Sequence, residues 1–188
     1  MQNRTEQIDI IKNATEGKSY MGTELEFGVC DAANNFNPVR SVKFNDKDYQ
    51  PSDALKAFLL SLKEDEISGG IAREVSKNMV EINHKPSENP RAVAAKERLT
   101  AIIANYFYEQ LGKADGRKLC MVYGAPWRPP QIGIHDVPDD APAFQRSYYA
   151  FQIGQNGDSL GATGVHFNIS SPWVTGSDDD RSDKMIRD

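Results

Sequence analysis

The chain has 188 residues, of which 39% are hydrophobic and 26% charged, with a formal net charge of −5. This is the composition of a folded globular chain and not of a disordered one, and the length suits one domain at roughly 100–200 residues each. No apolar run approaches the ~18 residues of a membrane span, no basic start followed by an apolar stretch marks a signal peptide, and acidity without a Lys/Arg stripe argues against nucleic acid as a partner.

In chain order, residues 3–15 read as a short helix with Ile8 and Ile11 on one side. Residues 18–31 form the first strong strand. Met21, Thr23, Leu25, Phe27 and Val29 point one way, and Gly22, Glu24, Glu26 and Gly28 the other. A loop over 34–38 and a short strand over 41–45 lead to a helix opened by Pro51-Ser52-Asp53, with an apolar stripe of Leu55, Phe58, Leu59 and Leu62. Gly69-Gly70 closes that region. Residues 71–76 and 78–84 read as paired strands around Lys77-Asn78. Asn89-Pro90 starts the longest helix, whose stripe is Leu99, Ile102, Ile103, Tyr106, Phe107 and Leu111, with Gly112 as its stop. A buried strand over 119–123 follows, then a proline-rich irregular loop over 124–143, a helix over 144–153 and a last alternating strand over 163–170. The tail, 176–188, is acidic and polar. Strands and helices mix without regular βαβ spacing, so the expected fold is α+β with a mainly antiparallel sheet. The few strands make that sheet look incomplete.

Three stretches carry candidate chemistry. In Glu24-x-Glu26, period-2 geometry puts two carboxylates on one strand face. They form either an ordinary solvated face or a pair held by a cation between them, and oxygen donors in such pairs suit Mg²⁺ or Mn²⁺. Glu81 sits between Val80 and Ile82 in a strand read as buried, where a carboxylate needs a partner. Glu74 is within reach across the strand pair. The two acids belong either to a metal site or to ion pairs with Arg73, Lys77 or Lys85. In the 163–170 strand, Val165, Phe167 and Ile169 are expected to face a core, and His166, Asn168 and Ser170 the opposite side. His166 is either a structural imidazole or a ligand. His84 and His135 are expected to be structural or exposed, and Cys30 and Cys120 to be reduced structural thiols. If the three strands share one sheet, Glu24, Glu26, Glu74, Glu81 and His166 converge on one wet face, a multi-metal cleft for a phosphate-bearing substrate.

These residues resemble a known family. Met21-Gly-Thr-Glu-Leu-Glu-Phe-Gly-Val29 is similar to the first acidic strand of glutamate–cysteine ligases. Glu74 with Asn78-Met-Val-Glu-Ile-Asn-His-Lys-Pro86 is similar to their next acidic segment, and Gly164-Val-His-Phe-Asn-Ile-Ser170 to their Gly-Val-His-Tyr-Asn-Phe-Ser strand. The match runs over residues 20–172, with the long helix in the corresponding place. The resemblance implies a glutamine-synthetase-like fold, a curved antiparallel sheet with helices on its outer side and the active site on its concave face. It implies that Glu24, Glu26, Glu74, Glu81 and His166 bind the Mg²⁺ or Mn²⁺ ions that hold ATP, with Asn168 beside the nucleotide and substrate. It places Arg146 near the transferred phosphoryl group and Gly124-Ala125-Pro126 along the amino-acid pocket. Family members are much longer, so residues 1–188 are expected to be the N-terminal part of a catalytic domain, truncated or completed by a second polypeptide, and inactive alone.

The implied reaction is ATP-dependent amide formation between the γ-carboxyl of glutamate and an amine such as cysteine, through an acyl phosphate, as in glutathione biosynthesis. Its substrates are small molecules, and the expected compartment is the cytoplasm. Rival readings are a ligase of the same fold with another acceptor, a non-catalytic metal-binding module, and a plain structural sheet with exposed acids.

Overall fold

A computed structural model describes residues 19–74, 76–123, 137, 141, 143–144, 146–147 and 164–170. Outside these lie the helix expected over 3–15, the Gly124-Ala125-Pro126 turn, His135, the tail, and most of the 124–143 loop and the 144–153 helix.

Strand β1 (Tyr20–Asp31) is the axis of the fold. Strand β6 (Met79–Ser87) runs antiparallel along one edge, and β5 (Ile71–Arg73) lies outside β6, also antiparallel. Thr23, Leu25 and neighbouring residues pair at once with β6 and with β8 (Val165–Ser170), so β8 must occupy the other edge. Gly28 likewise pairs with both β6 and β7 (Leu119–Val122), which puts β7 end to end with β8. Two residues, Asn37–Pro38 (β2), pair with the far end of β1. A separate hairpin joins β3 (Val42–Phe44) to β4 (Lys47–Tyr49). Helices α1 (Pro51–Ser61), α2 (Asp65–Gly69) and α3 (Pro90–Ala114) complete the described elements. The strand pairing is antiparallel throughout, and the class is α+β, as the unspaced mixture of elements predicts. Among the described residues no helix is long and apolar enough to cross a membrane.

Alternation along β1 builds the core. Leu25, Phe27 and Val29 are fully buried on one face, together with Val80 and Ile82 of β6, and meet Leu55 and Leu59 of α1 and Ala104, Phe107 and Tyr108 of α3. Aromatic rings fill the space between the helices. Phe58 stacks on Phe107 at 4.6 Å, and Phe27 meets Tyr108 edge-on at 6.1 Å. Tyr108 is completely buried, and its hydroxyl donates to the Pro51 carbonyl at 2.8 Å, tying α3 to the start of α1. The Arg73 guanidinium forks onto Asp53 at 3.2 and 2.8 Å, tying β5 to the same end of α1.

Several expectations differ from the structure: Leu62, read as part of the α1 stripe, caps that helix and is exposed, and Tyr123, read as part of a buried strand, lies beyond β7 and is exposed. Helix α3 starts as predicted, with the Asn89 side chain accepting from the Arg91 and Ala92 amides, but its buried face is Val93, Thr100, Ala104, Phe107 and Tyr108. Leu99, Ile102 and Tyr106 are exposed. The helix also passes through Gly112, where a Cβ would sit 2.8 Å from the Arg117 carbonyl, and ends before Gly116, whose φ of +68° needs glycine. Close packing, and not termination, requires Gly112. On β8, Val165 packs against the core, but Phe167 and Ile169 are 59% and 68% exposed. Alternation assigns a side chain to a face and does not supply a layer to cover it.

His84 is structural, as expected, and buried on the helix side of the sheet. Its Nδ1 meets the Thr23 hydroxyl and its Nε2 the Thr100 hydroxyl, both at 3.1 Å, so it joins β1, β6 and α3. Burial, reinforced by nearby Lys96, lowers its pKa from the ordinary value. The unfolded chain then binds a proton that the folded chain refuses, so stability is present above the unfolded pKa and is lost as pH falls. Urea titrations should show the unfolding free energy declining from pH 7 to 5.5 more steeply in the wild type than in His84→Gln. Tyr108→Phe should cost about 0.5–1.5 kcal/mol, the net worth of the buried hydrogen bond it removes. An unchanged urea midpoint would contradict that assignment.

Candidate metal centre

The face of β1 opposite the core carries Glu24 and Glu26, held there because Leu25 and Phe27 are buried on the other. Register brings partners to both. Glu24 lies between Asn83 of β6 and His166 of β8, and Glu26 lies opposite Glu81 of β6. Ala72 of β5 faces Glu81 in turn, so Glu74, two residues further along the chain, falls on the same side.

The side chains close into two triads. Donor atoms of Glu24, Glu26 and His166 all lie within 4.8 Å of one another, and so do those of Glu26, Glu74 and Glu81. Glu26 belongs to both. The His166 Nδ1 stands 3.1 Å from Glu24 Oε2 and 3.5 Å from Glu26 Oε1. The Asn168 amide donates to Glu24 Oε1 at 2.8 Å. The Asn83 amide donates to Glu81 Oε1. Five of the seven residues singled out from the sequence thus meet in one place, and Asn168 touches that group. Arg146 is partly buried in a helical turn outside the strand frame of the triads.

Electrostatics mark the place where charge accumulates. Glu26 is the most enclosed of the first triad, with 14% of its side chain exposed against 31% for Glu24 and 56% for His166. Burial raises the Glu26 pKa; His166 opposes the shift, and the carboxylates of Glu81 and Glu24 add to it. The His166 pKa is raised by its hydrogen bond to Glu24 and by the charge of Glu26. Four carboxylates and one imidazole in two adjoining clusters fit hard divalent cations. Opposite ligands of Mg²⁺ or Mn²⁺ lie about 4 Å apart, twice a metal–oxygen bond of about 2.1 Å, close to the spread of the donors here. The imidazole favours Mn²⁺ among such ions.

No family model and no curated protein matches the sequence. Among solved structures, the fold is similar to that of glutamate–cysteine ligase from Francisella tularensis, crystallised with AMP, at a TM-score of 0.52 and 15% identity, covering 82% of this chain and 27% of that one. The chain has a glutamate–cysteine ligase-like fold. At this identity the likeness establishes the architecture only: an open, mainly antiparallel sheet with helices. The chain spans about a quarter of the ligase's length.

Asn83 is a member of the site that motif reading passes over. Its signal is present in the sequence, since Glu81-x-Asn83 repeats the spacing of Glu24-x-Glu26, but an amide has no reason to be chosen before its neighbour across the sheet is known.

Because Glu26 is shared, Glu26→Gln should weaken Mn²⁺ binding at both clusters. Glu24→Gln and Glu81→Gln should each affect one. Asn83→Ala should weaken binding by about 10–100-fold, the usual effect of losing a residue that orients a ligand. Calorimetric titration resolves these cases, and equal effects of Glu24→Gln, Glu26→Gln and Glu81→Gln would refute a shared central ligand. Protons compete with the cation for His166 and Glu26, so affinity should fall as pH drops through the raised pKa of His166, by up to about tenfold per unit.

Proposed function

We propose that this chain holds the metal and nucleotide of an ATP-dependent carboxylate–amine ligase. The reading rests on one observation: two carboxylate-rich triads share Glu26 on the open face of a ligase-like sheet. In this reading Glu24, Glu26 and His166 hold one Mg²⁺ or Mn²⁺, and Glu26, Glu74 and Glu81 a second. Such ions, when bound, neutralise the phosphate oxygens of ATP and the charge that develops during transfer.

The residues of the chain serve chiefly to position. Asn83 fixes the rotamer of Glu81, and Asn168 that of Glu24, so the carboxylates are set before any phosphate arrives. Asn168, beside Glu24, is assigned to the nucleotide. Arg146 is assigned to the transferred phosphoryl group, where a guanidinium matches its oxygens. No carboxylate acts as a general base. The reaction is attack of the glutamate γ-carboxylate on the terminal phosphorus of ATP, which releases ADP and leaves an acyl phosphate. The amine nitrogen then attacks the acyl carbon, expels phosphate and passes a proton to that departing phosphate, which forms the amide. Cysteine is the proposed amine. The alternative is a ligase of the same fold with another acceptor.

A second reading, a non-catalytic metal-binding module, draws on the donor clusters themselves, which hold a cation without any turnover. Equilibrium dialysis with ATP separates the readings from a plain structural sheet. ATP retention should depend on Mn²⁺ and drop at least tenfold in Glu26→Gln, whereas retention indifferent to both would exclude any metal-held nucleotide. Release of ADP on adding glutamate and one amine from a panel would then select the ligase and identify its acceptor. ATP binding with no ADP from any amine, in the protein at its natural full length, would select the module.

A further inference from the structure

The two cysteines of the chain lie outside the metal centre, and the fold places them face to face. Cys30 of β1 and Cys120 of β7 are directly opposed in the antiparallel ladder. Their sulfurs are 3.4 Å apart, in van der Waals contact, and both are free thiols. The opposition is held by backbone and not by the sulfurs. Asp31 pairs with Leu119 and Val29 with Met121 on either side, and the Ala32 amide donates to the Lys118 carbonyl at 2.8 Å. The thiols therefore cannot drift apart while β7 stays on the sheet.

We propose that Cys30 and Cys120 form a modification site, a cross-strand dithiol that small-molecule disulfides oxidise to an intrachain disulfide. Directly opposed residues of an antiparallel pair have Cα atoms about 4.5–5.5 Å apart, inside the range of about 4.4–6.8 Å that a disulfide spans. The sulfurs need to approach by only about 1.4 Å to reach bonding distance, a displacement that side-chain rotation supplies.

Burial sets the order of events. Cys30 is completely buried and Cys120 partly exposed. Burial, and then the hydrogen bond to Cys120, push the Cys30 thiol far up, which keeps it protonated and unreactive towards solutes. Cys120 is thus the sulfur that meets the oxidant. Its thiolate attacks one sulfur of the small disulfide, forms a mixed disulfide and releases one small thiolate. The Cys30 sulfur then attacks Cys120 Sγ. Its proton passes to the second small thiolate as that leaves. Two protein thiols and one small disulfide become one protein disulfide and two small thiols. The bond closes a loop of 90 residues and ties β7 to β1 four residues beyond Glu26, on the same face.

The test is equilibration of the full chain in glutathione redox buffers of graded ratio, natively and in urea, followed by acid quench and peptide mapping without reduction. A fold that holds the sulfurs together should favour the bond. The Cys30–Cys120 cross-link should be half formed natively at a buffer at least tenfold more reducing than in urea. The native chain should lose the mass of two hydrogen atoms, and its melting midpoint should rise by roughly 5–15 °C. Cys120→Ser and Cys30→Ser should each abolish the cross-link. A cross-link that forms no more readily in the native chain than in urea would overturn the proposal. So would a mixed disulfide that persists on Cys120. Neither outcome bears on Mn²⁺ affinity, so this inference and the ligase reading stand or fall separately.

Discussion

The position of every candidate ligand depends on the burial of one side of β1. Leu25, Phe27 and Val29 are excluded from water by α1 and α3, and the two-residue repeat of a strand then leaves Glu24 and Glu26 no other side to occupy. A slip of one residue would send the carboxylates into the aromatic core and the apolar side chains into solvent, so the register is strongly specified. The one irregularity in the β1–β6 ladder falls between Met21 and Thr23, before the acidic pair begins, and the register is regular through Glu24 and Glu26. The His84 bridge to Thr23 and Thr100 fastens the strand beside that irregularity.

The opposite face carries a cost that the core offsets. Four carboxylates and an imidazole gather where like charges repel and solvent is partly excluded, and the raised pKa of Glu26 expresses that repulsion together with burial. Surface ion pairs elsewhere, such as Lys96 with Glu66, lie on exposed side chains and contribute little. Glu26 differs from them in standing against other acids, with the His166 imidazole beside it. Clusters that conflict with local preference in this way are candidates for functional sites.

A ligase-like architecture at 15% identity does not carry an activity with it, because one fold hosts many chemistries. The functional case therefore rests on the site: which donors meet, how far apart they stand and what ions such donors hold. The chain also spans only 27% of the ligase it is similar to.

Much of this was legible in the residues alone. Alternation in β1 and β8 put Glu24, Glu26, His166 and Asn168 on definite strand faces, the Asn89-Pro90 start located α3, and the turn at Lys77-Asn78 paired β5 with β6. These signals are local, set by period and capping within a few residues. Other features needed the tertiary structure. Which face of α3 is buried depends on the neighbours its rings meet, so Leu99, Ile102 and Tyr106 read as core and are exposed. Phe167 and Ile169 followed the right alternation but lack a covering layer among the described residues. The opposed cysteines became visible only through register, which joins residues 90 positions apart. The sequence by itself determined which residues share a face of a strand, because that follows from backbone geometry. Tertiary structure alone decided which strands lie side by side, because pairing is a long-range choice made by the whole core.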